Sequence, residues 1–499
     1  MKCLIFLLAF FSFNLFAEGR YIVVYKTGIM SVRSAVNSLP SVKPTGVSFH
    51  NEIKADVITA SKEDIKKVMK MSGVAYVEVD RILKAGMALV NPSQETWGLD
   101  RIDDRAGIDG TYEPPNDGSG VHAYIVDTGV NVSHSEFVGR IGEGFTAVED
   151  GNGFKDCNGH GTHVAGTVAG TKYGVAKKAT IHPVRVLDCE GKGYTSGVIA
   201  GVEWVGNNYT KPAVANMSLG GSASDTLDKA MEVAIDKGVT FAVAAGNSND
   251  DACAGSPSRV PTAITVGAAD INDNRASFSC FGDCVDVFSS GVSITSAWIP
   301  GANDTNSISG TSMATPHVAG GIALYLRAHP SATAREVDRW IKSTATKGAV
   351  FDAKSKYGDL LYVLDLAGPV PGEPDPDPKP DPKPDPKPEP GDPKPEPALN
   401  LFIGDNGDSC VETCGNQGMI YHQEGTERAT RRCRQTLYKF GLSFRRIKKN
   451  STQNGCGLYD KATGWFSWWF NTAWQSRNVS GGSSDTSMGG FRRVCVCSK

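Results

Sequence analysis

A chain of 499 residues is longer than one hydrophobic core usually supports, so several domains are expected. Its 40% hydrophobic and 21% charged residues are ordinary for globular domains and exclude a disordered or fibrous class. The net charge of -3 provides no broad basic surface, which argues against nucleic acid as a partner; the basic run 431–449 reads as a solvated face.

The first 19 residues read MKCLIFLLAFFSFNLFAEG. Lys2 precedes an apolar run and Ala17 offers a small residue for cleavage, the pattern of a secretory signal peptide over 1–17. A secreted, extracellular protein is expected. Cys3 lies ahead of the apolar run, which disfavours a lipoprotein, and no later segment is long and apolar enough to cross a bilayer. Export also favours disulfides. Of 12 cysteines, Cys3 leaves with the signal, and the odd remainder requires at least one unpaired thiol.

Residues 18–87 carry three strand-like runs, YIVVY (21–25), ADVITA (55–60) and VAYVEVD (74–80). Ser61 and Asp64 are spaced as a capping box at the head of SKEDIKKVMKM, which predicts a helix. Strands interleaved with helix predict a small α+β, ferredoxin-like unit.

Residues 88–368 alternate short apolar runs with helix-like stretches. The runs are VHAYIV (121–126), IHPVRVL (181–187), AVANMSL (213–219), VTFAVAA (239–245) and AITVGA (263–268). Helices are expected over 195–207 and 224–237. This order predicts an α/β domain, a mainly parallel sheet covered on both faces, with its site beyond the carboxyl ends of the strands.

Residues 369–398 are a Pro/Asp/Lys-rich linker. Proline fixes φ and removes a donor, so an extended spacer on the order of 80 Å is expected. Residues 399–499 hold six cysteines (410, 414, 433, 456, 495, 497) and predict a disulfide-rich module. The run GWFSWWFNTAW (464–474) suits either a buried core or an aromatic face for a carbohydrate or cell-surface ligand.

Three stretches carry chemistry: IVDTG with Asp127 at a strand end, NGHGTHVAG with His160 at a loop-to-helix transition, and SGTSMATPHVAG with Ser312 where a helix starts. A serine hydroxyl becomes a nucleophile when an imidazole takes its proton, and a carboxylate fixes that imidazole's tautomer. The oxyanion then formed needs donors already in place. The Ser312 backbone N–H is one, and the Asn247 amide in AAGNSN is another. A metal site of His160, His163 and Asp127 would lack the helical HExxH spacing of zinc peptidases, so His163 and His317 read as packed helix residues.

Together with WGLDRID, YGVAKKA, VRVLDCEGKG, ANMSLGG and ASFS, these phrases resemble the subtilisin-like serine peptidases, the proteinase K branch in particular, from Trp97 to about Leu364. The resemblance implies a three-layer sandwich and a serine endopeptidase acting through an acyl-enzyme. It gives Asp127 as orienting acid, His160 as base, Ser312 as nucleophile and Asn247 as oxyanion donor. The substrate backbone would pair with the strand holding Gly191, Gly193 and Tyr194, and Ser218, Leu219 and Gly220 would form one of the two backbone strips flanking the pocket for the side chain before the scissile bond, Ala244, Ala245 and Gly246 the other. Ala244, Ala245 and Gly246 would leave room for a large apolar or aromatic side chain before the scissile bond, within broad specificity.

The same resemblance implies structural Ca2+ at Asp286 with the backbone carbonyls of Pro261 and Ala263, and a second site at Asp100 and Asp103. It also implies disulfides Cys157–Cys189 and Cys253–Cys284, with Cys280 as the unpaired thiol or as a competitor for Cys253. Residues 18–87 resemble the family's inhibitory propeptide, which implies a self-processed zymogen cut between about Lys84 and Pro92. The expected partners are protein and peptide substrates and the chain's own propeptide, with the peptidase a monomer. Two rivals are an inert peptidase domain kept for binding, and a processing enzyme whose acidic walls (Asp225, Asp228) select paired basic residues.

Overall fold

The computed structural model describes residues 19–26, 30–86, 88–89 and 96–367, and the backbone of five strands after residue 399. The signal segment, the linker and the cysteines of the last hundred residues lie outside the described side chains. The chain divides into two units, Met1–Asp385 and Pro386–Lys499.

The first unit begins with β1 (Gly19–Tyr25), α1 (Met30–Asn37), β2 (Lys43–Phe49), β3 (Ala55–Ala60), α2 (Lys62–Val68) and β4 (Val74–Val79). The strands form an antiparallel sheet in the order β2-β3-β1-β4. The Ser61 hydroxyl accepts the Asp64 amide and caps α2, as its spacing predicts. The period-two alternation divides the sheet's side chains. Val23 and Ile58 pack with Val36, Ile65 and Val68 from the two helices. Ile22, Val24, Ala55 and Val57 face away and join a different core, described below.

An extended tail follows, with β5 (Ile82–Ala85) and β6 (Ala88–Leu89). Next come α3 (Trp97–Asp103), β7 (His122–Asp127), β8 (Phe145–Thr146), α4 (His160–Ala169), β9 (Thr180–Arg185) and β10 (Lys192–Tyr194). After them stand α5 (Thr195–Asn208), β11 (Ala213–Met217), β12 (Leu219–Ser222), α6 (Asp225–Asp236), β13 (Thr240–Ala244) and β14 (Gly255–Ser256). The unit closes with β15 (Ile264–Ala269), β16 (Val287–Ser290), β17 (Ile294–Ala297), β18 (Thr305–Ser309), α7 (Thr311–Ala328) and α8 (Ala334–Thr344).

Seven of these strands form one parallel sheet in the order β16-β15-β13-β11-β7-β9-β8. Its alternating residues feed two cores, the mark of a sheet buried on both faces. Ala123 and Ile125 of β7 pack with Val164 of α4 and Val318 and Ile322 of α7. Tyr124 and Val126 of the same strand pack with Val198 and Val202 of α5 and Met231 of α6. This second core also receives Ile22, Val24 and Phe49, so the N-terminal sheet is sandwiched between its own helices and the larger domain. The architecture is the three-layer α/β sandwich expected.

The second unit has antiparallel pairs: Asn400–Gly404 with Arg493–Ser498, Ile420–Tyr421 with the same strand, and Gly457–Tyr459 with Phe466–Trp468.

Candidate active site

The carboxyl ends of the central strands converge on one polar cluster. Asp127 ends β7 and His160 opens α4; His160 Nδ1 lies 2.7 Å from Asp127 Oδ1, and both side chains are fully buried. Burial by itself would push the His160 imidazole down, but the Asp127 carboxylate beside it, helped by Asp156, outweighs that and holds its pKa above the usual value. Among the described residues no hydrogen-bond partner stands at His160 Nε2, the nitrogen left for chemistry.

Two glycines around His160 have physical causes. Gly159 sits at φ 106°, a left-handed conformation that suits glycine, immediately ahead of the helix. A Cβ on Gly161 would lie 2.1 Å from the Gly129 carbonyl, so only glycine lets the Asp127 and His160 loops approach this closely. Asp156 braces both loops. Its Oδ1 accepts from the Thr128 hydroxyl and from the amides of Asn158 and Gly159, and its Oδ2 accepts from Thr162.

Ser312 lies in the first turn of α7, where unpaired amides and the helix dipole favour negative charge. Its Oγ donates to the Ser218 carbonyl at 2.9 Å. Pro316, four residues on, has no N–H for the Ser312 carbonyl, and the Ser218 hydroxyl donates to that oxygen instead at 2.8 Å. Asn247 follows β13. Its Oδ1 accepts both the amide and the hydroxyl of Thr311 at 2.8 Å, which turns its Nδ2 the other way. Thr311 and Asp156 were not singled out from the sequence; Thr311 is visible only as the residue before Ser312, and Asp156 only as an acid two residues ahead of Asn158.

The cleft is filled by the chain itself. Strand β5 lies antiparallel between β10 and β12, with Lys192↔Lys84, Gly193↔Leu83 and Tyr194↔Ile82 on one side and Leu219↔Ala85 and Gly220↔Lys84 on the other. The Ala85 amide donates to the Gly191 carbonyl. Leu83 is buried while its neighbours Ile82 and Lys84 are exposed. The next residue, Gly86, reaches the polar cluster: a Cβ built on it would lie 2.5 Å from Asn247 Nδ2 and 3.9 Å from Ser312 Oγ. Ala244, Ala245 and Gly246, leading from β13 to Asn247, are small, and Gly246 adopts φ 108°.

The remaining expected residues fall as follows. Cys157 is joined to Cys189 and Cys253 to Cys284, while Cys280 is free and buried behind Gly246. His163 Nε2 donates to the Ile294 carbonyl and His317 Nδ1 to the Met313 carbonyl. Burial pulls both down, to about 3 and about 4, so both are neutral packed residues. Asp225 and Asp228 are both paired with the buried Arg259, which offsets their charge as an acidic wall for basic substrates. Asp100 and Asp103 stand together with Asp104, and Asp286 faces Lys342.

A buried Asp–His pair, a serine at a helix start and an aimed amide around an extended peptide strand can transfer an acyl group from a peptide. Residues 118–359 match the model of the Subtilase family. The chain is 49% identical over 367 residues to the extracellular serine proteinase of Thermus sp. (strain Rt41A), covering 69% of this chain and 88% of that one. It is 47% identical over 382 residues to alkaline serine exoprotease A of Vibrio alginolyticus, covering 72% and 71%. The crystal structure of a cold adapted subtilisin-like serine proteinase superposes with a TM-score of 0.53 at 51% identity, over 55% of this chain and all of that one. The fold and these relatives define a serine endopeptidase. The chain belongs to the subtilase family.

Proposed function

We propose that this protein is a secreted, self-processed endopeptidase of the proteinase K branch. Ser312 is the nucleophile, His160 the general base, Asp127 the acid that orients it, and Asn247 with the Ser312 amide the oxyanion donors. One observation carries the reading: the chain's own segment 82–86 lies in the cleft as a paired strand and brings Gly86 against Asn247 and Ser312.

In this reading the acyl group comes from the bond after Gly86, and residues 18–86 are the inhibitory propeptide. Pairing through backbone bonds tolerates varied side chains, which supports broad specificity. The small strip 244–246 supports a large apolar or aromatic residue before the scissile bond. The names of the relatives support an extracellular location, and among the described residues no helix is long and apolar enough to cross a membrane. Protein and peptide substrates follow, with the peptidase acting as a monomer and the C-terminal module binding a carbohydrate or cell-surface ligand.

The propeptide reading has a physical basis in its docking. Helix α5 starts after Tyr194, which has no side-chain oxygen placed to cap it. Asp80 takes that role: its Oδ1 accepts the Ser196 amide at 2.9 Å and its Oδ2 the Ser196 hydroxyl at 2.7 Å, while Arg20 pairs with the same carboxylate. Glu78 accepts the amide and hydroxyl of Thr226 in the first turn of α6. Two carboxylates of one module thus meet two helix N-termini of the other, where negative charge is favoured.

Structural calcium fits at Asp100, Asp103 and Asp104. Their ligand atoms lie within 4.8 Å of one another, and among the described residues Asp103 Oδ1 and Asp104 Oδ2 are buried without a hydrogen-bond partner. Burial first, and the neighbouring Asp104 and Asp100 charges after it, push the Asp103 carboxyl up to about 6. Oxygen-only ligands suit calcium, and these three would tie the end of α3 to the loop that follows.

The test compares the full chain with Ser312→Ala, using a peptide with a large apolar residue before the scissile bond. The expected loss is on the order of 10⁶-fold in kcat. Equal turnover by the two proteins would reject the serine mechanism.

A further inference from the structure

The resemblance places a calcium ion at Asp286 with the carbonyls of Pro261 and Ala263, and the structure puts something else beside that carboxylate. Asp286 sits at the entry to β16 and is 3% exposed at its side chain. Its Oδ2 accepts the Thr265 amide from β15 at 2.7 Å. Its Oδ1 lies 3.1 Å from the ammonium of Lys342, which projects from α8 and is only 12% exposed. The same ammonium lies 2.8 Å from Asp338, one turn earlier on α8. A calcium ion takes about 6–8 oxygens at 2.3–2.6 Å. An ammonium 3.1 Å from the same carboxylate oxygen denies it that room and repels its charge.

We propose that Lys342 is a built-in cation that takes the place of a metal at this point. Its ammonium ties the β15–β16 edge, through Asp286, to α8, through Asp338. The elements it joins are distant in sequence, and a metal ion shared between them would perform the same mechanical task. A covalently held cation cannot be diluted away or chelated, so this joint is independent of calcium. Calcium dependence is then confined to the carboxylates at Asp100, Asp103 and Asp104.

The test uses the full chain carrying Ser312→Ala, so that autolysis does not enter, stripped with a chelator and then dialysed against calcium chloride alone. Bound calcium is counted per chain, and melting is followed with and without the metal. The account expects Asp286→Asn to leave the calcium count unchanged. It expects Lys342→Gln to lower the melting temperature on the order of 5 °C or more in the absence of calcium, because the buried Asp286 and the half-buried Asp338 lose their counter-charge. Lys342→Arg, which keeps the charge, should fall less far. Two results would overturn the proposal: loss of one bound calcium in Asp286→Asn, or Lys342→Gln melting with its parent. Should Asp286→Asn fail to fold, the two Lys342 variants decide between the outcomes.

Discussion

The N-terminal module and the peptidase domain meet across one cleft, yet they are built on opposite terms. The peptidase keeps its polar groups at the strand ends and spends most of its apolar surface on two cores of its own. The N-terminal module keeps only a small core between its sheet and two helices, and places the other face of that sheet in its neighbour's core. A domain that must outlast the encounter is packed for itself; a module that acts by docking is packed for its partner. The difference teaches where to look for each role: chemistry sits in side chains held by one domain, and the proposed inhibition would lie in contacts divided between two.

Variants sharpen this contrast in order of size. Asp127→Asn should lower kcat by about 10⁴-fold, since the imidazole loses both its tautomer and its counter-charge. The sign of its pH effect is also fixed. The neutral imidazole is the base, so activity rises as pH climbs through the His160 pKa, which Asp127 holds above its usual value. Without that carboxylate burial dominates, the pKa drops, and the acid limb of the pH–rate profile should move to lower pH.

Asn247→Leu should cost about 10²–10³-fold in kcat and leave KM nearly unchanged, because the amide acts on charge that develops in the transition state. The docking side is tested by Asp80→Ala together with Glu78→Ala in a separately added N-terminal module. Each removes charged hydrogen bonds to a helix start, and inhibition of the mature peptidase should weaken about 10–100-fold with no change in kcat. Unchanged inhibition would mean that the tail alone holds the module. Chelation is the smallest effect: loss of calcium from the Asp100 cluster should lower the melting temperature on the order of 5–10 °C.

What the sequence revealed follows the same division. Asp127, His160, Ser312 and Asn247 are visible because each stands in a short phrase whose glycines and small residues serve one local geometry. The parallel strands are visible as apolar runs, and Ser61 and Ser224 mark helix starts by their own spacing. Strand β2 was not visible: Lys43–Phe49 contains Pro44 and Gly46, and its pairing register shifts between Pro44 and Ser48. The caps given by Glu78 and Asp80 join residues more than a hundred positions apart, and no local pattern announces them. Lys342 is likewise an ordinary helix lysine in sequence; only folding brings it to Asp286. Asp225 and Asp228 show the same limit, since their pairing with Arg259 from another loop has no local signature.

The central claim is that Ser312 cuts this chain after Gly86, where the tail meets Asn247. The N-terminus of secreted material, read by sequencing and intact mass for the parent and for Ser312→Ala side by side, tests it most directly. The account predicts a mature parent chain beginning at Met87 and a variant that keeps residues 18–86 covalently attached. A parent that is active while still carrying those residues, or a variant cut at the same bond, would contradict it.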